Sequence, residues 1–149
     1  MPRFEFRLQR YLNVKEQLED QKELEYAAAL RQVEEEKARL AEFVASRDWT
    51  VEALRKSVSN RIAPIDIRRL NNSIERLKHM IMVQTERLEA AKAFAEEKRL
   101  ELVEAMKERK AIEKVRENAF EEYSREEDRV ARRLTDELTS YKYANINRM

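Results

Sequence analysis

The chain contains no glycine in 149 residues. Glycine enters left-handed and tight-turn conformations without steric cost, so a chain that lacks it changes direction rarely. A compact fold with many turns is excluded on that ground, and long helices remain. Ala, Leu, Glu, Lys, Arg and Gln dominate the sequence; all are good helix formers, and together they are the compositional signature of a coiled coil. Charged residues make up 41%, too many for a wide apolar core.

The apolar spacing agrees. Tyr26, Leu30, Val33, Lys37, Leu40, Val44, Arg47, Val51, Leu54 and Val58 alternate four and three apart, a heptad seam. Phe4, Leu8, Tyr11, Lys15, Leu18 and Lys22 extend it upstream, with a stutter where Lys22, Tyr26 and Leu30 stand four and four apart. A second seam runs Ile67, Leu70, Ile74, Leu77, Ile81, Gln84, Leu88, Ala91, Ala95, Lys98, Leu102, Ala105, Arg109, Ile112, Arg116, Ala119, Tyr123, Glu126 and Val130, with a stutter through Leu134 and Leu138. Acid-first pairs four apart, such as Glu35 with Arg39 and Asp128 with Arg132, support the outer faces.

Break signals gather in one stretch, Ser59 to Asp66. Asn60 can take the left-handed conformation that ends a helix, Pro64 pushes Ala63 out of helical geometry, and Asp66 is a fair N-cap with Ile65 and Leu70 as a hydrophobic staple. A short linker between two seam-bearing helices favours folding back antiparallel. The expected fold is therefore all-α: a long two-helix antiparallel coiled-coil hairpin with a C-terminal helix overhang. It is read as a single unit over residues 1–149, with helix 1 at about 3–59, the turn at about 60–65 and helix 2 at about 66–143. Counting outward from the turn places Phe4 near residue 122, which leaves the last residues of helix 2 unpaired although Val130, Leu134, Leu138 and Tyr141 continue an apolar stripe. Helix 1 could kink near Ser46, Asp48 and Thr50, whose side chains compete for backbone hydrogen bonds; it is read as continuous.

Several chemistries are excluded. Phosphate-cradling loops need glycine, so P-loop and Rossmann nucleotide sites are absent. A single histidine, His79, and no cysteine leave no His-pair or thiolate metal site. Carboxylates are abundant, but catalytic pairs need a walled site that shifts their pKa values, and two helices provide none. The expectation is a protein that is not an enzyme and carries no catalytic residue, cofactor or metal. Lys plus Arg number 31 against 30 Asp plus Glu, so the net charge of +1 creates no field that gathers nucleic acid. The locally basic Lys107 to Arg116 is interrupted by Glu108 and Glu113 and lacks stacking aromatics. No run of about 18 apolar residues exists to cross a membrane, and no secretory h-region opens the chain; a cytoplasmic location is expected.

Two surfaces rise above a solvated background. Met80, Met82 and Val83 add apolar surface beyond the seam near the turn, with Trp49 on an outward position. The unpaired stripe from Val130 to Tyr141 is the other, and it should dock onto another copy, a partner or the hairpin itself.

The opening Phe4-Glu5-Phe6-Arg7-Leu8-Gln9-Arg10-Tyr11-Leu12-Asn13-Val14-Lys15-Glu16, followed by Glu19, Gln21 and Glu25-Tyr26-Ala27, resembles the start of the flagellar export protein FliJ family. Glu108-Arg109-Lys110 with Glu113, then Tyr123 and the charged end through Asp136-Glu137, is similar to that family's C-terminal half. The resemblance implies a non-enzymatic component of the flagellar type III export machine. Its partners would be the hexameric export ATPase, the cytoplasmic domain of the export-gate membrane protein and export chaperones. No nucleic acid binding, no direct membrane insertion and a monomeric free state are expected, with peripheral association at the inner face of the membrane at the flagellar base. By position, the family's gate-binding stripe falls on Ser73, Leu77, Met80 and Gln84; Ser73 and Gln84 depart from the family's aromatic and histidine, and Leu70 or Ile74 would supply the missing anchor. Within the ATPase ring the expected contacts are Arg7, Arg10, Arg129, Arg132, Arg133, Leu134 and Leu138. The alternative is a homo-oligomeric structural coiled coil or a general chaperone clamp.

Overall fold

A computed structural model describes residues 3–148 and contains two long helices packed antiparallel, α1 (Gln9–Ser59) and α2 (Pro64–Asn147), with no strand among the described residues. The all-α hairpin expected from the glycine-free composition is the fold. Helix α1 is unbroken through Ser46 to Thr50; Thr50 is buried, and its hydroxyl donates to the Ser46 carbonyl at 2.7 Å, so the competition stays inside the helix.

The helix boundaries differ from the expected ones for local reasons. α1 begins at Gln9 rather than near residue 3. The Gln9 amide donates to the Phe6 carbonyl at 3.1 Å and the Leu12 amide to the Leu8 carbonyl at 2.9 Å, closing the first turn over a short non-helical strap. At the other end it is Arg61, not Asn60, that takes the left-handed backbone (φ 53°). The Ile62 amide then reaches the Ser57 carbonyl at 3.2 Å, the six-to-one bond of a Schellman cap. Without glycine at this position the left-handed residue carries a cost of about 1–2 kcal/mol. α2 starts two residues earlier than expected. Pro64 lacks an amide proton and has φ preset for a helix, so it suits the first helical position. The Ala63 carbonyl accepts from Asp66 at 3.0 Å and Ile67 at 3.3 Å. Asp66 therefore sits inside the first turn, its charge against the positive helix end, and is not the N-cap.

Packing along the hairpin falls into two compact units, one holding the chain up to Glu19 and from Glu104, the other Asp20–Val103. In the second unit Ala29, Val33, Leu88 and Ala95 form the core, with Leu40 and Ala91 against it and Ile74 also buried. The seam on α2 is the expected one. On α1 every second position moves by one residue: Ala29, Glu36, Thr50 and Ser57 are buried, whereas Leu30 and Val58 are exposed and Lys37 and Val51 lie outside the seam. Tyr26 and Ala29 follow Lys22 at four and three, so the stutter expected at Leu30 does not occur.

The inward position of Glu36 is possible because its charge is met. Gln84, 2% exposed, donates its amide NH2 to the Glu36 carboxylate and, at 3.1 Å, to the Glu36 backbone carbonyl. Gln32 donates to the same carboxylate at 2.8 Å and Arg39 stands at 3.7 Å. No buried side-chain polar atom lacks a partner among the described residues.

A second polar layer in this unit is ionic. The Lys22 ammonium lies 3.2 Å from Glu101 and 3.4 Å from Glu25, and the Lys98 ammonium 3.2 Å and 3.5 Å from the same two. Hydrogen bonds from Lys22 and then Lys98 hold the Glu101 carboxyl below the usual 4.5, against partial burial. For Glu25 burial pushes upward, but the hydrogen bond and charge of Lys22 and the charge of Lys98 outweigh it and the net direction is down. Both lysines are raised above the usual 10.5, chiefly by hydrogen bonds to Glu101. Depressed carboxyls stabilise the fold above pH 4.5 and lose that contribution as pH falls; raised lysines stabilise it below 10.5 and lose it as pH rises. Thermal melts of the chain and of Glu101→Gln are therefore expected to differ most near neutrality and to converge below pH 4.5. A difference independent of pH would mean the charge of Glu101 contributes nothing.

Candidate functional site

The first unit holds the chain's terminal surface. In the paired part Leu12 and Ala105 are the buried apolar residues, and ion pairs flank them: Lys15 with Glu108 at 2.7 Å, and Arg109 with Glu19 and, at 2.7 Å, with Glu113. Tyr11 is half exposed, so Leu12 rather than Tyr11 enters the seam.

The strap before α1 ends on three aromatic rings. Phe4 meets Phe120 edge to face at 5.2 Å and Tyr123 at 5.4 Å, with the Arg116 guanidinium 5.8 Å from the Phe4 ring. The Arg116 Nε also donates to Gln9 at 3.0 Å. Such ring pairs contribute about 0.5–1.5 kcal/mol beyond buried area, which explains why residues 3–6 leave helical geometry to cover α2. Phe4 thus lies close to the height counted from the turn. Arg7 and Arg10, both exposed, line a depression with Phe4, Phe6 and Arg116.

Beyond Tyr123 the seam has no covering helix. Every residue from 128 to 148 is exposed, including Val130, Leu134 at 56%, Leu138 at 63% and Tyr141. Arg129, Arg132 and Arg133 line one side of this segment together with Arg125, Asp128 and Asp136. Arg129 pairs with Glu126 at 3.3 Å. Apolar and cationic side chains are here presented together on one free helix.

The second unit carries the surface near the turn. Leu70 and Leu77 of the seam, and Ser73 and Met80 beside it, are half-buried and reachable from outside. Ile74 and Gln84 are not. Ile74 is 7% exposed within the helix pair, and Gln84, 2% exposed, spends its amide on Glu36. Seam periodicity and an outer stripe overlap at these positions, and sequence spacing alone does not separate them. Trp49 and Met82 are more than half exposed, as the outward reading required.

Beside Met80 lies a groove of about 400 Å³ lined by Arg39 and Phe43 of α1 and by His79, Met80, Val83, Gln84 and Arg87 of α2. Arg39, Phe43 and Arg87 did not stand out in the sequence. The signal that finds them is the pairing register, since Glu36 opposite Gln84 brings the next turn of α1 to Met80.

No group of three or more metal-ligating side chains occurs among the described residues, and no described helix is long and apolar enough to cross a membrane. A comparison with curated proteins and another with solved structures gave no match. A family model described as "Flagellar FliJ protein" matches residues 4–148. With the strap, both helices and the free end of α2 all inside that match, the chain belongs to the FliJ family and is a component of the flagellar export apparatus.

Proposed function

We propose that the chain is a non-catalytic stalk that inserts into and promotes the hexameric export ATPase, couples it to the export gate at the inner membrane face and escorts export chaperones. The observation that carries this reading is the free end of α2, where Leu134 and Leu138 are more than half exposed beside Arg129, Arg132 and Arg133. An apolar stripe flanked by arginines suits the inside of a protein ring, where aliphatic contact gives area and guanidinium groups give directed polar contacts. Arg7 and Arg10, in the same compact unit, are the further polar contacts of that reading. The outward half of the turn-proximal surface, Leu70, Ser73, Leu77 and Met80, is read as facing the gate.

The mechanism is differential binding. A helix end that touches ring subunits unequally shifts their conformational populations by its difference in affinity for each state, and by no more than that. Purified hexamer supplied with the chain is expected to assemble at lower concentration and to hydrolyse ATP faster than the hexamer alone. Unchanged assembly and unchanged turnover would remove the stalk reading. Sedimentation of the free chain at the same concentrations is expected to give a monomer; a stable dimer or tetramer would favour a homo-oligomeric coiled coil instead.

A further inference from the structure

Helix α1 carries two overlapping heptad seams, and the hairpin packs on the less apolar one. Both seams share Tyr26, Val33, Leu40, Arg47 and Leu54. The packed seam alternates these with Ala29, Glu36, Phe43, Thr50 and Ser57, all buried except the half-buried Phe43. The other alternates them with Leu30, Lys37, Val44, Val51 and Val58, each one residue further along, and of these Leu30, Val51 and Val58 stand exposed. All but Lys37 in that outer line are aliphatic, whereas the flank of a coiled-coil seam is ordinarily charged. One polar layer holds α1 on its packed seam: the buried Gln84 amide donates to the Glu36 carboxylate and, at 3.1 Å, to the Glu36 carbonyl. An amide side chain can accept as well as donate. Turned over, the same group offers its oxygen to an ammonium, and the outer-line residue beside Glu36 is Lys37, paired with Glu34 at 3.4 Å on the exposed face.

From this we infer that α1 has a second packed state between Tyr26 and Val58. In it the helix turns about its own axis by about 50°, half the angular step between neighbouring residues. Leu30, Val44, Val51 and Val58 then face α2, Glu36 goes to solvent, and Gln84 accepts from Lys37. Aliphatic burial favours the turned state. The close approach at Ala29 and Ser57, the cover on Phe43 and the lower cost of keeping Lys37 in water favour the observed one. The twist is absorbed upstream, because Tyr26 belongs to both seams and Lys22, Tyr26 and Leu30 at four and four apart form a stutter, which unwinds a coiled coil locally. The ionic layer of Lys22, Glu25, Lys98 and Glu101 therefore stays in place as the fixed end of the moving segment. Two packings with opposed terms make a two-state element, and a partner that touches α1 differently in the two states selects one of them.

The test uses the full chain, which has no cysteine, so one introduced thiol reports one position. In the parent, Thr50→Cys is expected to react with a maleimide at least about fivefold more slowly than Val51→Cys, since the native residues are 7% and 37% exposed. Ala29→Glu with Ser57→Lys places charge at two small positions of the packed seam, both of which the turned state holds in solvent. In that background the order of the two rates is expected to reverse, with helicity by circular dichroism retained. An unchanged order, or loss of helicity, would overturn the inference. Glu36→Ala alone is the milder variant. It removes the partner of Gln84 in the observed packing only, and is expected to speed Thr50→Cys and to slow Val51→Cys. General loosening of the hairpin would speed both thiols, so faster reaction at both positions, or no change at either, would equally overturn the second packing.

Discussion

Gln84→Leu is expected to destabilise the second unit by about 2 kcal/mol, since hydrogen bonds to a charged group contribute roughly 1.5–3 kcal/mol. The Glu36 carboxylate, 6% exposed as a residue, would lose the amide that reaches it across the helix pair and keep Gln32 at 2.8 Å. Urea unfolding followed by circular dichroism measures the loss. The double variant Glu36→Leu with Gln84→Leu should return to wild-type stability or exceed it, because replacing both polar partners by apolar ones removes the desolvation cost along with the bond. What the double variant should lose is uniqueness of register, as a single polar layer fixes which heptad faces which. A single variant as stable as the parent would show that the layer is not what holds the two helices in phase.

Deleting residues 125–149 is expected to abolish stimulation of the ATPase ring while leaving the melting temperature of the hairpin nearly unchanged. All residues from 128 to 148 are exposed, so their removal takes almost nothing from either core. The helicity lost should be confined to the deleted segment, whose order depends little on packing and which is marginal as an isolated helix. Stimulation that survives the deletion would move the ring-binding surface elsewhere, with Arg7 and Arg10 as the next place to look.

The α2 seam was legible from Ile67 to Tyr123 because its apolar positions outnumber the polar ones, and Ile74, Leu88, Ala95 and Ala105 are buried as the spacing requires. The α1 seam was legible at alternate positions only. Hydrophobicity alone selects Leu30 and Val58, yet Ala29 and Ser57 are inside; small residues let the helices approach, an advantage no polarity scale records. Glu36 inside is visible only to a reading that already holds Gln84 opposite. The Thr50 hydroxyl competes for the backbone, and that same hydrogen bond is what makes its burial affordable. The sequence offers acid–base pairs four residues apart, whereas most ion pairs within a helix stand three apart, such as Arg55 with Glu52 at 3.6 Å. The candidate surfaces divide in the same way. Exposure of Leu134 and Leu138 followed from counting chain lengths on either side of the turn. The Arg39, Phe43 and Arg87 groove needed the register, which side-chain contacts across the seam set.

Closure at Ser57 and Ile62 also dictates the order in which the hairpin can assemble. The cross-helix hydrogen bonds span 48 residues at Glu36 and Gln84, 79 at Lys22 and Glu101, 93 at Lys15 and Glu108 and 107 at Gln9 and Arg116. Closing a loop of twice the length directly costs only about 0.6 kcal/mol more, but zippering outward from the turn makes each new contact local once the previous one exists. Helices rich in local contacts fold fast for this reason. The Phe4, Phe120 and Tyr123 rings are consequently last to meet and first to part. In refolding, Phe120 and Tyr123 are then expected to be the part of the paired stretch of α2 that gains its cover last.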